Sequence, residues 1–455
     1  MEKKFDVIII GAGPAGYVAA IRLAQLGKKV AVVEEARVGG VCLNSGCIPT
    51  KALLEVTSIK DRLNNFSGKG IEIEGISFDL KRLLSWKNGV VNRLVKGIEF
   101  LFRKNGVELY QGRGAIEESG VVRVGSDLFY SENIVIATGS KPRELPFLPF
   151  SNPDIWSSEE ALSPESIPEK LLIVGGGVIG VEIGTIYSRL GSEVFIVEML
   201  PEILPGFDHE IRSLVRRNLE KRGIKVYTDS LVENFKNKIA FVKHKEKKIQ
   251  IKVDKVLVSV GRIPRSDDFR SIGIQVDGKG FVIVDREFRT SIPRIFAVGD
   301  VIGGLLLAHK AHREGINVAD VICGKKITVP VVIPSVVYGS LEIVKCGLTE
   351  EEALEKGFKP KIGKFPFSAN GRALTAGYNE GFIKVIGDER TERVLGIHML
   401  GPGVSELAAS ACIAIENKLK VKNIAQAVHP HPSLSEALME ACENFYKRAI
   451  HIPNI

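Results

Sequence analysis

Two stretches of the chain repeat one pattern, and this repeat constrains the fold more than any other feature. In "FDVIIIGAGPAGYVAAIRLAQLGKKVAVVEE" an apolar strand runs into Gly11-x-Gly13-x-x-Gly16, a helix follows from Tyr17 to Leu26, and a second strand ends at Glu34. "EKLLIVGGGVIGVEIGTIYSRLGSEVFIVEM" gives Gly175-x-Gly177-x-x-Gly180, a helix, and a strand ending at Glu198. In each, 23 positions separate the first glycine from the acid (11 to 34, 175 to 198). The first glycine makes a tight turn, the second lets a pyrophosphate approach the backbone, and the third lets helix pack on strand. The helix N-terminus stabilises phosphate charge, and the carboxylate can accept ribose hydroxyls. One such glycine motif is weak. With strand, helix and acid in register, and repeated at an equal interval, it predicts two dinucleotide-binding units of α/β type.

A second echo marks where each unit closes. "IVIATGSKPR" (134–143) and "VLVSVGRIPR" (256–265) both read as an apolar strand, then glycine, then Pro-Arg. From first glycine to closing glycine the units span 128 positions (11 to 139) and 86 (175 to 261), so the first carries 42 more. That extra material contains "GGVCLNSGCIPTKALL" (39–54), with Cys42 and Cys47 five positions apart in number and four residues between them.

The pair has three possible meanings: structural disulfide, half a metal site, or redox switch. Six cysteines in 455 residues are no disulfide scaffold, and a reducing compartment disfavours structural bridges. No second Cys or His cluster completes a zinc set, so no metal is expected. Cys323, Cys346, Cys412 and Cys442 read as isolated buried thiols. Redox chemistry leads. A nicotinamide and a dithiol each move two electrons but react poorly together, so a flavin between them is the expected mediator. The flavin site should be the unit carrying the cysteines, and the nicotinamide site the other.

Other classes fit less well. The net charge of +8 raises nucleic acid, but the charges are scattered, with no basic arm, zinc-finger spacing or aromatic RNA-binding motif. Apolar stretches break before membrane-spanning length. No export signal precedes the strand that starts at Phe5, so a cytoplasmic protein is expected, with neither nucleic-acid nor membrane partners. The length suits about three domains.

With these residues in view, the chain resembles the flavoprotein disulfide reductases over essentially its whole length, and among them most those that oxidise dihydrolipoamide. The 39–54 segment is similar to that family's redox helix. "FAVGDV" (296–301) followed by "LLAHKAHREG" is similar to its second flavin segment, and "FPFSANGRAL" (365–374) and "HPHPSLSEA" (429–437) to its C-terminal domain. The resemblance implies two Rossmann-like units plus an α+β dimerisation domain. An FAD domain (1–142 with 266–325) is interrupted by an NAD domain (143–265), and the dimerisation domain follows (326–455). It implies a homodimer holding one tightly bound FAD per subunit. It also implies oxidation of protein-bound dihydrolipoamide, electrons passing through the disulfide and FAD to NAD+. The partner would then be a lipoyl-bearing acyltransferase or the lipoyl protein of glycine cleavage.

Residue roles follow from the resemblance together with local chemistry. Pro49 suits an early helical position, which places Cys47 at a helix N-terminus that favours thiolate. By resemblance Cys47 faces the flavin and Cys42 exchanges with substrate. Lys51, one turn on, lies on the face of Cys47, and Glu182 is its implied partner near both rings. FAD is expected against Gly11, Gly13, Gly16, Glu34, Lys51, Gly114, Thr138, Gly139, Ser140, Asp300 and the Leu307-Ala308-His309 turn, Asp300 closing a strand. NAD is expected against Gly175, Gly177, Gly180, Glu182, Glu198, Val232 and Gly261. His431 and Glu436 carry the acid–base work. Thiol exchange needs a base, and histidine is the side chain that trades protons near neutrality. From the residues alone His429 is as good a candidate; the family's His-Pro-x-x-x-Glu register selects His431, with a cis bond to Pro432 conceivable only because proline follows.

There are departures. "VVYGSLEIVKCG" lacks the Thr and Pro common around Tyr338 and Glu342, which puts local packing in question, and Thr50 and Ser433 exchange one hydroxyl residue for another. A runner-up is a reductase of glutathione-like disulfides or of mercuric ion. Glu198 opposes NADPH, since a carboxylate repels the 2′-phosphate, and the tail "HIPNI" lacks the cysteine pair of a mercuric reductase. A catalytically silent flavoprotein serving as scaffold or redox sensor is the alternative of a different class. Such a protein has no need of both cysteines, the histidine and Glu198, and this chain has all of them.

Overall fold

The apolar run at the start of the chain becomes the centre of a parallel sheet. Lys3–Ile10 pairs with Val30–Glu34 on one side and Asp127–Ile136 on the other. Val7, Ile8, Ile9 and Ile10 are all buried, as expected of a strand covered on both faces. Glu108–Gln111 extends the sheet beyond Val30–Glu34, and Ile295–Ala297, from far down the chain, adds to Asp127–Ile136. An antiparallel meander of Gly114–Glu118 and Val121–Val124 flanks the same strand. The computed structural model describes residues 3–72 and 74–454.

A second parallel sheet repeats the plan with Lys225–Tyr227, Glu193–Val197, Lys170–Val174, Lys255–Val258 and Ile155–Trp156 in that order. The difference in length has a plain cause. Between its second and third strands the later unit uses one helix, His209–Lys221. The earlier unit uses the short Gly40–Ser45 turn of helix, then Cys47–Phe66 and Leu80–Asn105. Local signals bound the last of these: the Asp79 side chain accepts from the Arg82 amide at its start, and Gly106 ends it at φ 71°, a left-handed turn suited to glycine.

The two closing echoes meet in space. Ser140–Pro142 pairs antiparallel with Arg262–Pro264, forming a two-stranded link between the nucleotide units. This pairing couples residues about 120 positions apart and has no local signature.

The third sheet is wholly antiparallel: Ser335–Val337, Ile343–Gly347, Val394–Leu400, Phe382–Asp388 and Pro360–Pro366. Helices Ala408–Glu416 and Ser435–Phe445 cover it around Phe365, Phe367, Met399 and Phe445. A buried ion pair ties this layer to the second unit. Asp208 caps the His209–Lys221 helix with one carboxylate oxygen and accepts Lys384 Nζ with the other at 3.0 Å. Both side chains are buried, so each satisfies a charge that alone would be costly. Among the described residues, no helix is long and apolar enough to cross a membrane.

Candidate active site

The carboxyl ends of both parallel sheets open into one cavity of about 2310 Å³. A single small-molecule pocket occupies roughly 300–1,000 Å³, so this space accommodates two dinucleotides. Its wall contains Gly11, Gly13, Glu34, Lys51, Gly114, Thr138, Gly139, Ser140, Asp300, Leu307, Ala308 and His309. The same cavity is lined by Gly175, Gly177, Glu182, Glu198, Val232, Gly261, Cys42 and Cys47. Only Gly16 and Gly180 among the expected nucleotide residues lie behind it. A Cβ at Gly16 would stand 1.9 Å from the Gly11 carbonyl oxygen, and one at Gly180 2.1 Å from that of Gly175. Those two glycines seat helix against strand.

The paired acids are held alike. Glu34 accepts the Ala12 amide at 2.7 Å and the Ala36 amide at 2.8 Å, one on each oxygen. Glu198 accepts the Gly176 amide at 2.7 Å and the Leu200 amide at 2.8 Å in the same way. Both carboxylates are thereby aimed, and each oxygen keeps lone-pair capacity for a sugar hydroxyl.

Cys47 begins the Cys47–Phe66 helix and Cys42 lies in the preceding turn. A hydrogen bond from Cys42 and the nearby Lys51 ammonium hold the Cys47 thiol down to about 7, against the opposing pull of burial, while the same bond pushes the Cys42 thiol up. Thr50 keeps the hydroxyl function expected of it, donating to the Gly46 carbonyl at 2.6 Å. Lys51 Nζ reaches both oxygens of Glu182 at 2.9 Å, bridging the two nucleotide units. Burial raises the Glu182 carboxyl above its ordinary range, and Lys51 and the Tyr338 amide oppose that shift.

His431 and Glu436 stand together but apart from the cavity wall. His431 Nδ1 lies 2.9 Å from Glu436 Oε1, and the Ser433 amide donates to Glu436 Oε2 at 2.8 Å. Both contacts hold the Glu436 carboxyl below its usual range, His431 first. An Nδ1–H donated to the carboxylate leaves Nε2 free to take a proton. The imidazole is 79% exposed, and its peptide bond to Pro432 is cis. His429 contacts the Ile424 carbonyl instead.

Some expectations need correction. Asp300 lies in a 3₁₀ turn, Gly299–Ile302, beyond the strand Ile295–Ala297, because Gly299 at φ 81° turns the chain. There it accepts the Ser140 hydroxyl at 2.6 Å. His309 needs none: it lines the cavity, and its Nε2 lies 2.7 Å from the Pro334 carbonyl. Cys346 and Cys412 are not isolated: strand Ile343–Gly347 and helix Ala408–Glu416 bring their sulfurs to 3.4 Å. Cys442 is buried, whereas Cys323 and Cys412 are half-buried.

Three contributors escape a linear reading. Arg262 donates to the Ser140 hydroxyl at 2.7 Å and to its carbonyl at 2.8 Å, continuing the chain to Asp300. Tyr338 donates its amide to Glu182 at 2.9 Å and places its ring 4.8 Å from Lys51 Nζ. Glu314 accepts the Gly299 amide at 2.8 Å and fixes the Asp300 turn. The unusual segment at Tyr338 is therefore well packed, with Glu342 accepting the Ser405 amide at 3.0 Å. Arg262 follows the closing glycine, Tyr338 stands in the departing segment and Glu314 in the second flavin segment, but nothing in the sequence joins any of them to its partner in the site.

Twin dinucleotide units around one cavity, with a dithiol at a helix start inside it, define a disulfide oxidoreductase. A family model described as pyridine nucleotide-disulphide oxidoreductase matches residues 5–315, and that family's dimerisation-domain model matches residues 333–442; the chain belongs to this family. The chain is 45% identical to the dihydrolipoyl dehydrogenase of Thermus scotoductus over 99% of this chain and 100% of that one. It is 40% identical to the enzyme of the same name from Bacillus subtilis, covering 98% and 97%. Among solved structures it is similar to the HOCl-induced flavoprotein disulfide reductase RclA from Escherichia coli, with a TM-score of 0.86, 28% identity and coverage of 95% and 98%.

The family uses FAD and NAD(H), and this chain's residues fit both. At Gly13 an added Cβ meets only Gly40 Cα at 3.9 Å, and at Gly177 and Gly139 it meets nothing within 4 Å. The backbone is thus bare where a pyrophosphate must pass, and an oriented carboxylate waits at each second strand.

Replacing Glu198 with arginine is expected to reverse nucleotide preference. Hydrogen bonds to a charged group contribute about 1.5–3 kcal/mol, so NAD+ efficiency should fall roughly 10- to 150-fold. Arginine welcomes a 2′-phosphate, so kcat/KM for NADP+ should rise. Steady-state kinetics with both nucleotides measures this, and an unchanged ratio removes Glu198 from the ribose site.

Proposed function

We propose that this chain is a dihydrolipoyl dehydrogenase of the cytoplasm, acting as a homodimer on the lipoyl domain of an acyltransferase or of glycine cleavage. The observation that carries this reading is that Cys42, Cys47, Lys51 and Glu182 line one cavity together with Glu34 and Glu198, two carboxylates each held by a pair of backbone amides. Full-length similarity to enzymes of that name supports the choice of dithiol. The proposed division is an FAD domain (1–142 with 266–325), an NAD domain (143–265) and a dimerisation domain (326–455).

Dihydrolipoamide would attack the Cys42–Cys47 disulfide at Cys42, with His431 Nε2 of the facing subunit taking the thiol proton. That attack expels Cys47 as thiolate. The second substrate thiol then attacks the substrate sulfur of the mixed disulfide, releasing lipoamide and expelling Cys42, which takes that thiol's proton. Cys42 is left as thiol, Cys47 as thiolate and the first proton on His431. Glu436 holds the imidazole and stabilises its protonated form, in the acid-behind-histidine logic of thiol chemistry. FAD, when bound, supplies the two-electron step between this dithiol and NAD+. Lys51 keeps a positive charge beside the helix start that bears Cys47, and Glu182 keeps Lys51 in place. Ser140, Arg262 and Glu314 set the turn that presents Asp300 to the cavity.

Comparing turnover of dihydrolipoamide with NAD+ against glutathione disulfide with NADPH tests the assignment. The first pair should exceed the second by at least about a hundredfold, well within the roughly 10⁴- to 10⁵-fold that a site built to hydrogen-bond its substrate can reach. Preference for glutathione disulfide and NADPH would overturn it in favour of the other reductase reading.

A further inference from the structure

The sheet-and-helix layer at the end of the chain holds a second pair of cysteines that the chemistry above does not use. Cys346 lies in the strand Ile343–Gly347 and is fully buried; Cys412 lies in the helix Ala408–Glu416 and is half-buried. Their sulfurs are 3.4 Å apart, although 66 positions separate them in the chain. Neither lines the nucleotide cavity.

We propose that Cys346 and Cys412 form a second dithiol/disulfide couple, independent of Cys42 and Cys47, that reversibly staples this helix to the sheet.

A disulfide places its sulfurs about 2.05 Å apart, so closing the pair needs a movement of about 1.4 Å, the scale of a small side-chain rotation. Chemical asymmetry sets the order of events. The hydrogen bond between the two sulfurs lowers the Cys412 thiol and raises that of Cys346, whose burial adds to the rise. The more accessible sulfur is thus also the better nucleophile. The oxidant is a low-molecular-weight disulfide, RSSR. Cys412 thiolate attacks it, forming Cys412–S–S–R and expelling one RS⁻. Cys346 then attacks the Cys412 sulfur, forming the Cys346–Cys412 bond and expelling the second RS⁻. The two thiol protons leave with the two RSH, so two protein thiols and RSSR give one protein disulfide and two RSH. A dithiol reverses the same steps.

The bond would close a long loop, and such loops restrict the unfolded chain most. It would also pin the helix whose outer face carries Ile413, 60% exposed.

The test uses the purified FAD-loaded protein, with Cys42 and Cys47 already oxidised, and oxidised glutathione as the probe. Thiols are alkylated in denaturant and counted by intact mass. Four of the six cysteines should be alkylated before treatment and two after it, with the Cys346 and Cys412 peptides joined in the non-reduced digest. In Cys412→Ser three thiols should be alkylated, before and after alike. The unfolding midpoint should rise by several degrees on treatment of the native protein and stay still in the variant. Four thiols after treatment, glutathione retained on Cys412, or a different pair joined would each overturn the couple. An unchanged midpoint with the bond formed would overturn its role as a staple. Because the count is made on the native sequence, poor folding of a variant cannot mask the result.

Discussion

Replacing Cys47 with serine is expected to cut dihydrolipoamide oxidation by at least roughly a thousandfold, the scale seen when a covalent catalyst loses its nucleophile, while FAD stays bound. Cys42→Ser should lose as much. The two variants part company in the spectrum. Cys47 begins a helix beside Lys51 and its thiol is held down to about 7. A Cys47 thiolate against oxidised flavin should therefore give a long-wavelength charge-transfer band in Cys42→Ser and none in Cys47→Ser. The sign with pH follows from the lowered thiol: the band should be full well above pH 7 and fade as pH falls through it. The hydrogen bond with Cys42 is the largest cause of that lowering, and the serine hydroxyl in Cys42→Ser is expected to keep a donor there. Cys42→Ala removes the donor, so its band should need higher pH to form than that of Cys42→Ser. A band confined to Cys47→Ser would reverse the inner and outer assignments.

How much of this site could be read in advance depended on how local its signals are. Each glycine fingerprint and its acid lie within 23 positions, and strand, turn and helix within that window obey short-range rules. Both carboxylates duly sit in matching pairs of amide bonds. The start of the Cys47–Phe66 helix was legible for the same reason, through Pro49. What stayed hidden was long-range. Ser140 meets Arg262 across 122 positions and Asp300 across 160, and the Tyr338 amide reaches Glu182 across 156. Cys346 and Cys412 looked solitary because a strand and a helix 66 positions apart share no period. His431 could be picked over His429 only through the family register, since both stand in one short loop. The spatial arrangement adds a reason: His431 meets Glu436, while His429 turns to a backbone carbonyl.

His431→Ala is expected to lower turnover by roughly 10²- to 10⁴-fold, the usual contribution of a positioned general base. The loss should be repairable by a different inactive chain. Within one chain, the imidazole is 79% exposed and absent from the cavity that gathers both cysteines and every residue expected at FAD or NAD except Gly16 and Gly180. The segment that bears it belongs to a dimerisation domain. A two-fold interface is isologous, so whatever one subunit lends it also receives. Each His431 would then serve its partner's disulfide, and dimerisation would be a catalytic requirement as well as a structural one. Mixing Cys47→Ser with His431→Ala under subunit exchange separates the two arrangements. In a mixed dimer one site combines an intact dithiol with an intact imidazole and the other lacks both. Activity should return to about half of normal per mixed dimer, or about a quarter overall when equal amounts reassort at random. Native mass spectrometry establishes that exchange has occurred. If mixed dimers form and activity stays at the level of the parents, His431 serves its own subunit.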